Sequence, residues 1–332
     1  MKGKVILGFS GGVDSAVSAV LLKKSGYEVH GLYLDNSGEE ALNDAVRTAD
    51  FLKIPLDVVN VKAELDEKVC RPFADAYLRG RTPNPCIICN PSLKFAHLLS
   101  FADENDAEFI ATGHYARTEN SCLFKGHPEN DQSYMLCRIT REQLAHLVLP
   151  LGEFPKTEVR NMAREFGIPI ANKPDSMEIC FIPDRDYISW LGSRAELPPA
   201  GDFVFHGKII GRHEGIYKWT VGQRIPGLYE ERKLYVSRIN ASDNTIELSL
   251  WEELFKTEIH AADFNFLCDL PGGAVEASVR VRHTKWENPP CTAVFDGTDA
   301  YITCHDPVRA PAAGQSAVLY CGSKVLGGGF IV

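Results

Sequence analysis

Short apolar runs alternate with helical patterns in the first third of the chain, and this order constrains the fold more than any other feature. The apolar runs, each of a length typical of one strand, are Val5–Phe9, Val29–Leu34, Leu56–Val61 and Phe109–Thr112. Helical spacing of apolar residues separates the first three runs, at Ala16–Lys24 and Ala41–Phe51. Because parallel strands need such crossovers, the pattern predicts an α/β domain whose parallel sheet has helices on both faces.

After about residue 200 the pattern changes to short strands with turn residues between them. Period-two alternation is clear at Ala277–Arg282, and the runs Val204–Ile210 and Lys233–Val236 also indicate strands. We therefore predict three parts. They are an α/β catalytic domain at 1–195 with a connecting helical region from about 155, a small central β domain at 196–258, and a C-terminal β-barrel-like domain at 259–332.

The composition excludes membrane-spanning, fibrous and disordered chains. Hydrophobic residues make up 45% and charged residues 24% of the 332 residues, as in soluble proteins with a buried core. The longest apolar run, Val17–Leu22, is far shorter than the roughly 20 residues that span a bilayer. Because a strand pattern begins at Lys4, we expect no export signal ahead of it and a cytoplasmic protein.

The net charge argues against nucleic acid as a partner, but its distribution does not. The chain has 35 Lys and Arg against 44 Asp and Glu, a net charge of −9. Residues 208–238 nevertheless hold seven Lys and Arg against three Glu, and residues 71–94 hold four against one Asp. Because the local field acts on a ligand, both stretches are candidate RNA-binding faces, with a solvated surface as the alternative.

A glycine-rich loop, Gly8-Phe9-Ser10-Gly11-Gly12-Val13-Asp14-Ser15, joins the first strand to the first helix. Glycines let the backbone approach a phosphate, and the free N–H groups at a helix start attract anions. Ser10 and Ser15 add hydroxyl donors, and Asp14 is a candidate ligand for magnesium. The alternative is a turn in which Asp14 or Ser15 only caps the helix. The whole string after a buried strand favours phosphate binding.

This loop lacks the lysine of the common P-loop and instead resembles the pyrophosphate loop, SGGxDS, of PP-loop ATP pyrophosphatases. The resemblance implies an adenine-nucleotide alpha-hydrolase-like fold and cleavage of ATP to AMP and pyrophosphate. Enzymes of this class adenylate an oxygen atom and then displace AMP with nitrogen or sulfur. The loop therefore predicts ATP and Mg²⁺ as cofactors and leaves the nucleophile open.

Ten cysteines occur without the spacing of a dense disulfide framework. In a reducing compartment, clustered cysteines are more often catalytic or metal-binding. Cys86 and Cys89 form a Cys-x-x-Cys pair, and Cys180 lies much later in the chain. A zinc site would need more ligands, for which His97 and His114 are candidates beside Cys180. Since the sequence holds no second Cys-x-x-Cys, zinc is the weaker alternative.

Several strings together resemble the tRNA-specific 2-thiouridylase family (MnmA/TrmU). They follow one another in the family order and cover nearly the whole chain: Ser10–Ser15, Thr82–Asn90 with Lys94-Phe95, Ala111–Arg117, Asp131–Tyr134, Asp175–Ile182, Gly211–Leu228 and Val325–Ile331. The resemblance implies an ATP-dependent tRNA-uridine 2-sulfurtransferase acting on the wobble uridine of the anticodon stem-loop. It also implies a sulfur donor protein, such as a cysteine desulfurase or a sulfur relay protein, and no membrane.

The resemblance further implies a mechanism in which ATP adenylates the C2 oxygen of the uridine and sulfur then displaces AMP. Cys180 matches the cysteine that carries the persulfide. Cys89 matches the nucleophile that releases the sulfur and forms a Cys89–Cys180 disulfide. Because the attacking species is a thiolate, we expect a lowered thiol pKa, with Arg81 or Lys94 supplying the positive charge. The alternative is that both cysteines are inert core residues.

The binding residues that the resemblance implies are carried over position by position. Those for ATP are Gly8, Phe9, Ser10, Gly11, Gly12, Val13, Asp14, Ser15, Leu34 and Gly113. Those for tRNA are Asn84, Pro85, Cys86, His114, Asn130, Asp131, Gln132, Arg282, His283 and Gln315. Among these, the segment from Asn84 to Cys86 would approach the target base. Alone, Gly113-His114 would indicate a tight turn with a surface histidine.

The sequence departs from the family pattern at several places. Asn130 stands where lysine is common, so either an RNA contact is lost or Lys125 replaces it. The stretch from Asp35 to Ala41 is short, which puts any contact from that loop in doubt. Met177-Glu178 replaces the usual Thr-Gly before the second cysteine, so the flexibility there differs.

Three alternatives therefore stay open. Cys86 stands where some members have aspartate, and with Cys89 and Cys180 it would supply three ligands of an iron–sulfur cluster. An amide- or amidine-forming ATP pyrophosphatase would need no cysteine pair. A catalytically silent tRNA-binding paralogue would bind tRNA without releasing pyrophosphate.

Overall fold

The structure, a computed structural model, describes residues 2–36, 38–174, 179–182, 186–227, 232–283 and 288–332. The predicted departure at Met177-Glu178 lies outside these ranges. Three sheets organise the described chain: one of five parallel strands, one of five mixed strands, and one of eight strands that includes a closed barrel. No helix in these ranges is long and apolar enough to cross a membrane.

Parallel strands form the first sheet, as predicted. The central strand β1 (Lys4–Gly8) lies between β2 (Glu28–Asp35) and β4 (Phe109–Ala111), and the outer strands are β3 (Leu56–Asn60) and β7 (Leu147–Val148). The middle of β1 is fully buried because helices cover both faces. The strand order 3-2-1-4-7 changes direction between β1 and β4. Open α/β sheets bind ligands at such a switch, beyond the carboxyl ends of the strands.

Helices cover the two faces of this sheet. The helices α1 (Val13–Lys24) and α8 (Lys156–Glu165) share one apolar core, and α6 (Phe95–Glu104) buries Phe95 and Leu98 on the other face. The other helices are α2 (Glu39–Leu52), α3 (Lys62–Leu65), α4 (Arg71–Leu78), α5 (Pro85–Cys89), α7 (Arg141–Ala145) and α9 (Tyr187–Gly192). Single turns of other helix types lie at Asp66–Cys70 and Asn90–Lys94 (π-helical) and at Ser133–Leu136, Ile216–Lys218 and Glu252–Leu254 (3₁₀).

The second sheet has the order β10-β11-β12-β8-β9. Its strands are β8 (Gly201–Phe205), β9 (Lys208–His213), β10 (Arg224–Ile225), β11 (Leu234–Asn240) and β12 (Thr245–Ser249). The run Val204–Ile210, predicted as one strand, is instead a hairpin. His206 (φ 47°) and Gly207 (φ 76°) form its two-residue turn, because paired positive φ values match the twist of tight hairpins.

A six-stranded antiparallel barrel follows and confirms the predicted C-terminal β-barrel. Its strands are β13 (Phe255–Phe266), β14 (Val275–Arg280), β15 (Pro290–Asp296), β16 (Asp299–Arg309), β17 (Ser316–Cys321) and β18 (Lys324–Ile331). The barrel closes because β13 pairs with both β16 and β18. A hairpin of the α/β region, β5 (Ala116–Glu119) and β6 (Cys122–Lys125), extends the same sheet through Phe124 and Lys324.

Candidate active site

The glycine-rich loop leaves the carboxyl end of β1 at the strand-order switch. Phe9 and Val13 are 1% and 5% exposed, so the loop presents its backbone rather than these side chains. Gly11 has a φ of +69°, and a Cβ there would lie 2.6 Å from the backbone of Ala45. Because both the dihedral and the space require glycine, Gly11 fixes the loop close to α2.

Hydroxyl groups line the turn where α1 begins. Ser15 Oγ donates to the Gly12 carbonyl at 3.0 Å and lies 3.3 Å from Ser10 Oγ. Gly12, the residue before the helix, has no side chain that could cap it. The first N–H groups of α1 are therefore available to an anion, as in other phosphate sites at helix starts.

Asp14 is held by two side chains from outside the loop. Lys156, the first residue of α8, donates to both carboxylate oxygens of Asp14 at 2.6 Å. The hydroxyl of Tyr115 donates to Asp14 Oδ1, also at 2.6 Å. The carboxylate predicted to bind magnesium is thus already paired with a cation. Lys156 therefore places an ammonium group beside the glycine-rich loop. The sequence-based predictions did not include this lysine.

Two further ATP-binding candidates lie at the same edge of the sheet. Gly113 follows β4, and a Cβ there would lie 3.1 Å from Asp14 and 3.2 Å from the Ser15 nitrogen. The lack of a side chain at Gly113 therefore lets the segment after β4 pack closely against the glycine-rich loop. Leu34 lies near the end of β2, half-buried between two apolar clusters.

The first two cysteines lie on α5, a single short helix. Asn84 caps this helix by accepting a hydrogen bond from the Cys86 nitrogen at 3.2 Å, and Pro85 is its first residue. The fully buried Ile87 anchors the turn. Cys86 is consequently exposed, while Cys89, nearly one turn later, is half-buried.

The pKa of Cys89 is shifted in the direction opposite to the one expected from the sequence. Burial raises it to about 11, and this effect outweighs the positive charge of Lys94, which acts in the opposite direction. Cys180 reaches solvent, yet the surrounding protein also raises the pKa of its thiol, with a smaller lowering contribution from Lys94. The prediction of a lowered pKa at Cys89 is therefore wrong for this resting structure. Both thiols are protonated at neutral pH.

Cys180 lies in the same part of the molecule as Cys86 and Cys89 although it is about ninety residues later in the sequence. It is close enough that charge on Cys180 acts on the pKa of Cys89 and charge on Cys86 acts on the pKa of Cys180. Asn36 Nδ2 also donates to Cys180 Sγ at 3.8 Å, a long hydrogen bond suited to sulfur. Cys89 and Phe181 pack against the same apolar cluster as Leu34, which places them near the carboxyl end of β2.

All ten cysteines are free thiols. The predicted Cys89–Cys180 disulfide is therefore not a cross-link of this fold. Across the described ranges, no group of three or more His, Cys, Asp or Glu side chains is arranged to hold a metal ion. Neither the zinc alternative nor the three-cysteine iron–sulfur alternative gains a ligand set from the structure. The zinc candidate His97 instead pairs with Glu64 at 2.6 Å.

Several residues predicted or suggested to contact tRNA are half-buried, and their side chains contact other parts of the protein. His114 stacks on Phe95, and burial holds its pKa well below the ordinary value, so the ring is neutral at pH 7. Asn130 Nδ2 donates to the Phe154 carbonyl at 3.4 Å. Lys125, the suggested replacement for a lysine at 130, covers the ring of Tyr320 at 4.4 Å.

The neighbouring predicted contacts connect the α/β region to the barrel. Asp131 is 8% exposed and pairs with Arg280 of β14 at 2.8 Å. It also accepts from the Ser133 nitrogen and hydroxyl, both at 3.0 Å. Gln132 accepts from the Tyr115 nitrogen at 3.0 Å and thereby holds the residue that contacts Asp14.

The predicted contacts of the barrel region have similar connecting roles. Arg282 donates to the carbonyls of Val221 and Ala310 at 2.6 and 3.0 Å, which joins the second sheet to the barrel. Gln315 Nε2 donates to the carbonyl of Thr82 at 2.7 Å, just before the Cys86 segment. The side chain of His283 lies beside the ring of Tyr134.

Three residues of this site had no role in the sequence-based predictions: Lys156, Tyr115 and Asn36. Tyr115 stands within the ATGHYAR string, so the string itself was the available signal. Asn36 lies in the stretch noted as short. Lys156 had no local signal, because its partner Asp14 is 142 residues away.

Known protein families match the chain over its whole length. A family model described as the tRNA methyl transferase HUP domain matches residues 3–184. The tRNA methyl transferase PRC-barrel domain matches residues 199–249, and the aminomethyltransferase beta-barrel domain matches residues 256–331. The fold thus defines an α/β protein of the HUP-domain class with two appended β modules.

Individual relatives make the assignment specific. A tRNA-specific 2-thiouridylase MnmA 1 of Caldanaerobacter subterraneus is 38% identical and covers 100% of this chain and 98% of its own length. A tRNA-specific 2-thiouridylase MnmA of Geobacter metallireducens is 38% identical, covering 99% and 96%. The chain belongs to the tRNA-specific 2-thiouridylase (MnmA) family. A solved 4-thiouridine synthetase–RNA complex with bound ATP matches at a TM-score of 0.36 and 21% identity, covering 57% of this chain and 50% of its own.

Proposed function

We propose that this protein transfers sulfur to C2 of the wobble uridine of tRNA, with ATP as the activating substrate and 2-thiouridine as the product. Family membership supports this function for the whole chain. The observation that carries it is that Cys89 packs against the same apolar cluster as Leu34, near the end of β2, while Asn36, just after β2, donates to Cys180 Sγ. An enzyme that activates an oxygen with ATP and displaces it with sulfur needs these two groups side by side.

The first step is adenylation of the base. The uridine C2 oxygen attacks the α-phosphorus of ATP, and pyrophosphate leaves. The backbone N–H groups after Gly12 would bind the phosphates, and Lys156 would turn from Asp14 to the developing negative charge. Close packing of Gly113 against the loop would hold these donors in place.

Magnesium is a usual companion of ATP phosphates. In the resting arrangement, however, both oxygens of Asp14 accept from Lys156 and one also accepts from Tyr115. The site therefore offers the ion no free carboxylate from this loop. We assign phosphate binding to the loop amides and Lys156 and derive no step through a protein-bound metal.

The second step is sulfur transfer. Cys180 would carry a persulfide, Cys180–S–SH, received from a donor protein such as a cysteine desulfurase or a relay protein. Cys89 would attack the inner sulfur as a thiolate, so that the S–S bond of the persulfide breaks and hydrosulfide leaves toward C2. Hydrosulfide then displaces AMP from the adenylated base. A transient Cys89–Cys180 disulfide remains, and an external dithiol reduces it before the next turnover.

The resting thiols fit this scheme if substrate binding completes the site. With its pKa raised to about 11, Cys89 is almost entirely protonated at pH 7 and cannot release sulfur prematurely. The phosphates and the RNA backbone would bring negative charge, which raises the pKa of a thiol. A lower pKa at Cys89 would therefore have to come from a cation, such as Lys94, that moves closer to the sulfur when the substrates bind. Chemistry on the base also requires the uridine to leave its stack and enter the pocket near Asn84.

Mass spectrometry of nucleosides tests the proposal. Unmodified tRNA is incubated with the protein, magnesium-ATP and a persulfide source, and wild type is compared with Cys89→Ala and Cys180→Ala. We expect 2-thiouridine with the wild type and none with Cys89→Ala or Cys180→Ala. Anaerobic purification and an iron assay decide whether a cluster is present.

Matched variants separate the rival functions. The exposed Cys321 is the control, since Cys321→Ala should leave the product unchanged. An amide-forming enzyme would keep its activity without either cysteine, and a silent paralogue would bind tRNA and release no pyrophosphate. Either result with folded protein would contradict the proposal.

A further inference from the structure

A cavity of about 400 Å³ opens beside Cys180. Its walls include Asn36, Gly38, Lys62, Phe181 and Arg194. A cavity of this volume accommodates a small molecule or the end of an extended peptide rather than a folded surface. It therefore offers access to the Cys180 sulfur for a slender group.

The cavity is formed by parts of the chain other than the segment expected to meet the base. It is built from the loop after β2, from α3 and from the π-helical turn Asp66–Cys70. Among the described residues that line it, none comes from the segment between Asn84 and Cys89. π-helical turns interrupt regular helices and frequently occur at functional sites. Two reactants could thus reach Cys180 from two directions.

The polar groups of the cavity suit an anionic sulfur species. Asn36 Nδ2 donates to Cys180 Sγ at 3.8 Å, and an N–H donor stabilises a thiolate or a persulfide anion. Lys62 pairs with Asp35 at 3.0 Å with half of its side chain exposed, and Arg194 pairs with Asp66. Both cations have acidic partners, so the field at the entrance is moderate. The donor nearest the sulfur is the Asn36 amide.

Cys70 is the other thiol of the cavity wall. It is buried, and burial raises its pKa to about 11. Of the two thiols among the described residues that line the cavity, Cys180 is the exposed one, and the Asn36 amide donates to it. A sulfur carrier that enters the cavity therefore meets Cys180 as its accessible acceptor.

We propose that this cavity is the loading site at which a persulfide group, R–S–SH, delivers sulfur to Cys180, with Asn36 as a positioning residue. The proposal rests on the proposed function. The Cys180 sulfur attacks the terminal sulfur of R–S–SH, the S–S bond breaks, and R–S⁻ leaves and takes the thiol proton. Cys180–S–SH and R–SH are the products, so the step needs no oxidant or reductant. The carrier R is either a protein cysteine or a small thiol.

A space-filling variant tests the cavity directly. Gly38 has a φ of −80°, and a Cβ there would meet no atom within 4 Å, so Gly38→Trp places a ring at the cavity without backbone strain. Gly272, in an exposed loop of the barrel region, has equally open space, and Gly272→Trp is the matched control. Loading is measured by peptide mass spectrometry as one sulfur atom gained at Cys180, without ATP or tRNA.

Two persulfide sources distinguish the carrier. They are a cysteine desulfurase charged with cysteine and glutathione persulfide. We expect Gly38→Trp to reduce loading from whichever source loads the wild type to background, while Gly272→Trp loads like the wild type. Loading by the desulfurase alone would identify a protein carrier, and loading by glutathione persulfide alone would identify a small one. With either source, loss of loading in Gly38→Trp but not in Gly272→Trp supports the cavity as the entrance.

The role of Asn36 is tested by the pH dependence of the reactivity of Cys180, which would not change if Asn36 only supported the fold. Asn36→Ala should slow loading about tenfold and raise the pH at which Cys180 reacts with iodoacetamide, because the hydrogen bond to a charged sulfur is lost. Asn36→Gln, which keeps the amide, should restore part of the rate.

Defined outcomes overturn the proposal. Wild-type loading in Gly38→Trp would show that sulfur reaches Cys180 by another route, and an unchanged pH profile in Asn36→Ala would show that Asn36 does not position the sulfur. A wild type that loads Cys180 but makes no 2-thiouridine would contradict only the proposed function. A wild type that gains no sulfur at Cys180 from either source would overturn both.

Discussion

The loop Gly8–Ser15, which we propose binds phosphate, is called the phosphate loop below, and Cys89 and Cys180, which we propose transfer sulfur, are called the sulfur site. Both lie at the same edge of one sheet but differ in how ready they are to react. The loop from Gly8 to Ser15 is held by backbone geometry, with Lys156 already beside it. The sulfur site joins segments about ninety residues apart, and its two catalytic candidates, Cys89 and Cys180, are protonated at rest. The loop is preorganised by its backbone, whereas the two thiols are in their unreactive, protonated form.

We attribute this difference to the physical demands of the two proposed reactions. Phosphate binding depends on fixed dipoles, which act best when they are preorganised. A persulfide that met a thiolate before the substrate arrived would lose its sulfur to solution. Holding the Cys89 thiol protonated by burial avoids that loss, provided that RNA binding later activates it.

The largest expected effect concerns the pH dependence of Cys89. Because its pKa is raised to about 11, the reactive thiolate is scarce at pH 7 and grows as the pH rises toward 11. Alkylation of Cys89 should therefore accelerate about tenfold per pH unit, roughly 1000-fold from pH 7 to 10, and level off above 11. Peptide-resolved alkylation rates measure this.

The unfolded protein is the control for that profile. In denaturant the Cys89 rate should level off near the ordinary thiol pKa of about 8.5. Adding tRNA and a non-hydrolysable ATP analogue to the folded protein should move the profile toward lower pH. A folded profile that matches the unfolded one would remove the contrast between the two halves of the site.

The phosphate loop should be most sensitive at Gly11. In Gly11→Ala, the Cβ would lie 2.6 Å from the Ala45 backbone at a φ of +69°, so the loop must shift. A shift of about 1 Å in groups that position the reacting atoms costs about 100-fold in rate. Pyrophosphate release with tRNA measures it. Gly38→Ala, where a Cβ meets no atom within 4 Å, should behave like the wild type.

Lys156→Met should have the next largest effect. It removes a cation that donates to both oxygens of Asp14 at 2.6 Å and that we assign to the phosphates. Charge-assisted hydrogen bonds of about 1.5–3 kcal/mol predict a loss of roughly 10- to 100-fold in pyrophosphate release. Lys173→Met, which removes a surface lysine paired with Asp44, should change the rate little. Equal rates in both variants would contradict the assignment of Lys156.

The smallest expected effect is at Tyr115. Tyr115→Phe removes only the hydroxyl that donates to Asp14 at 2.6 Å and keeps the buried ring. One hydrogen bond of about 1 kcal/mol predicts a loss of roughly fivefold in pyrophosphate release. The alkylation profile of Cys89 should not move. A shift of that profile would mean that the two halves of the site are coupled at rest.

The fold was largely predictable from local patterns. The apolar runs of β1, β2 and β4 and the glycines of the loop are short-range signals, so the parallel sheet and the phosphate loop followed from them. The β8–β9 hairpin was missed because the apolar pattern continues through His206-Gly207. Strand β13 was missed because charged and polar side chains break its alternation.

The site was less predictable because its contacts are long-range. Lys156 is 142 residues from Asp14, and Asn36 is 144 residues from Cys180, so no sequence pattern joins either pair. The pKa of Cys89 depends on burial, which the charge of nearby lysines does not reveal. Asp131 lies in a family-like string, yet its side chain pairs with Arg280 across the junction to the barrel.

The central claim is that the phosphate loop can support adenylation without the cysteines of the sulfur site. ATP–pyrophosphate exchange in a Cys89→Ala/Cys180→Ala double variant, with unmodified tRNA present, tests this claim most directly. We predict that this variant exchanges pyrophosphate into ATP at close to the wild-type rate and forms no 2-thiouridine. Loss of exchange together with thiolation, in a variant that still folds and binds tRNA, would contradict the account. Adenylation would then depend on the cysteines that we assign to sulfur alone.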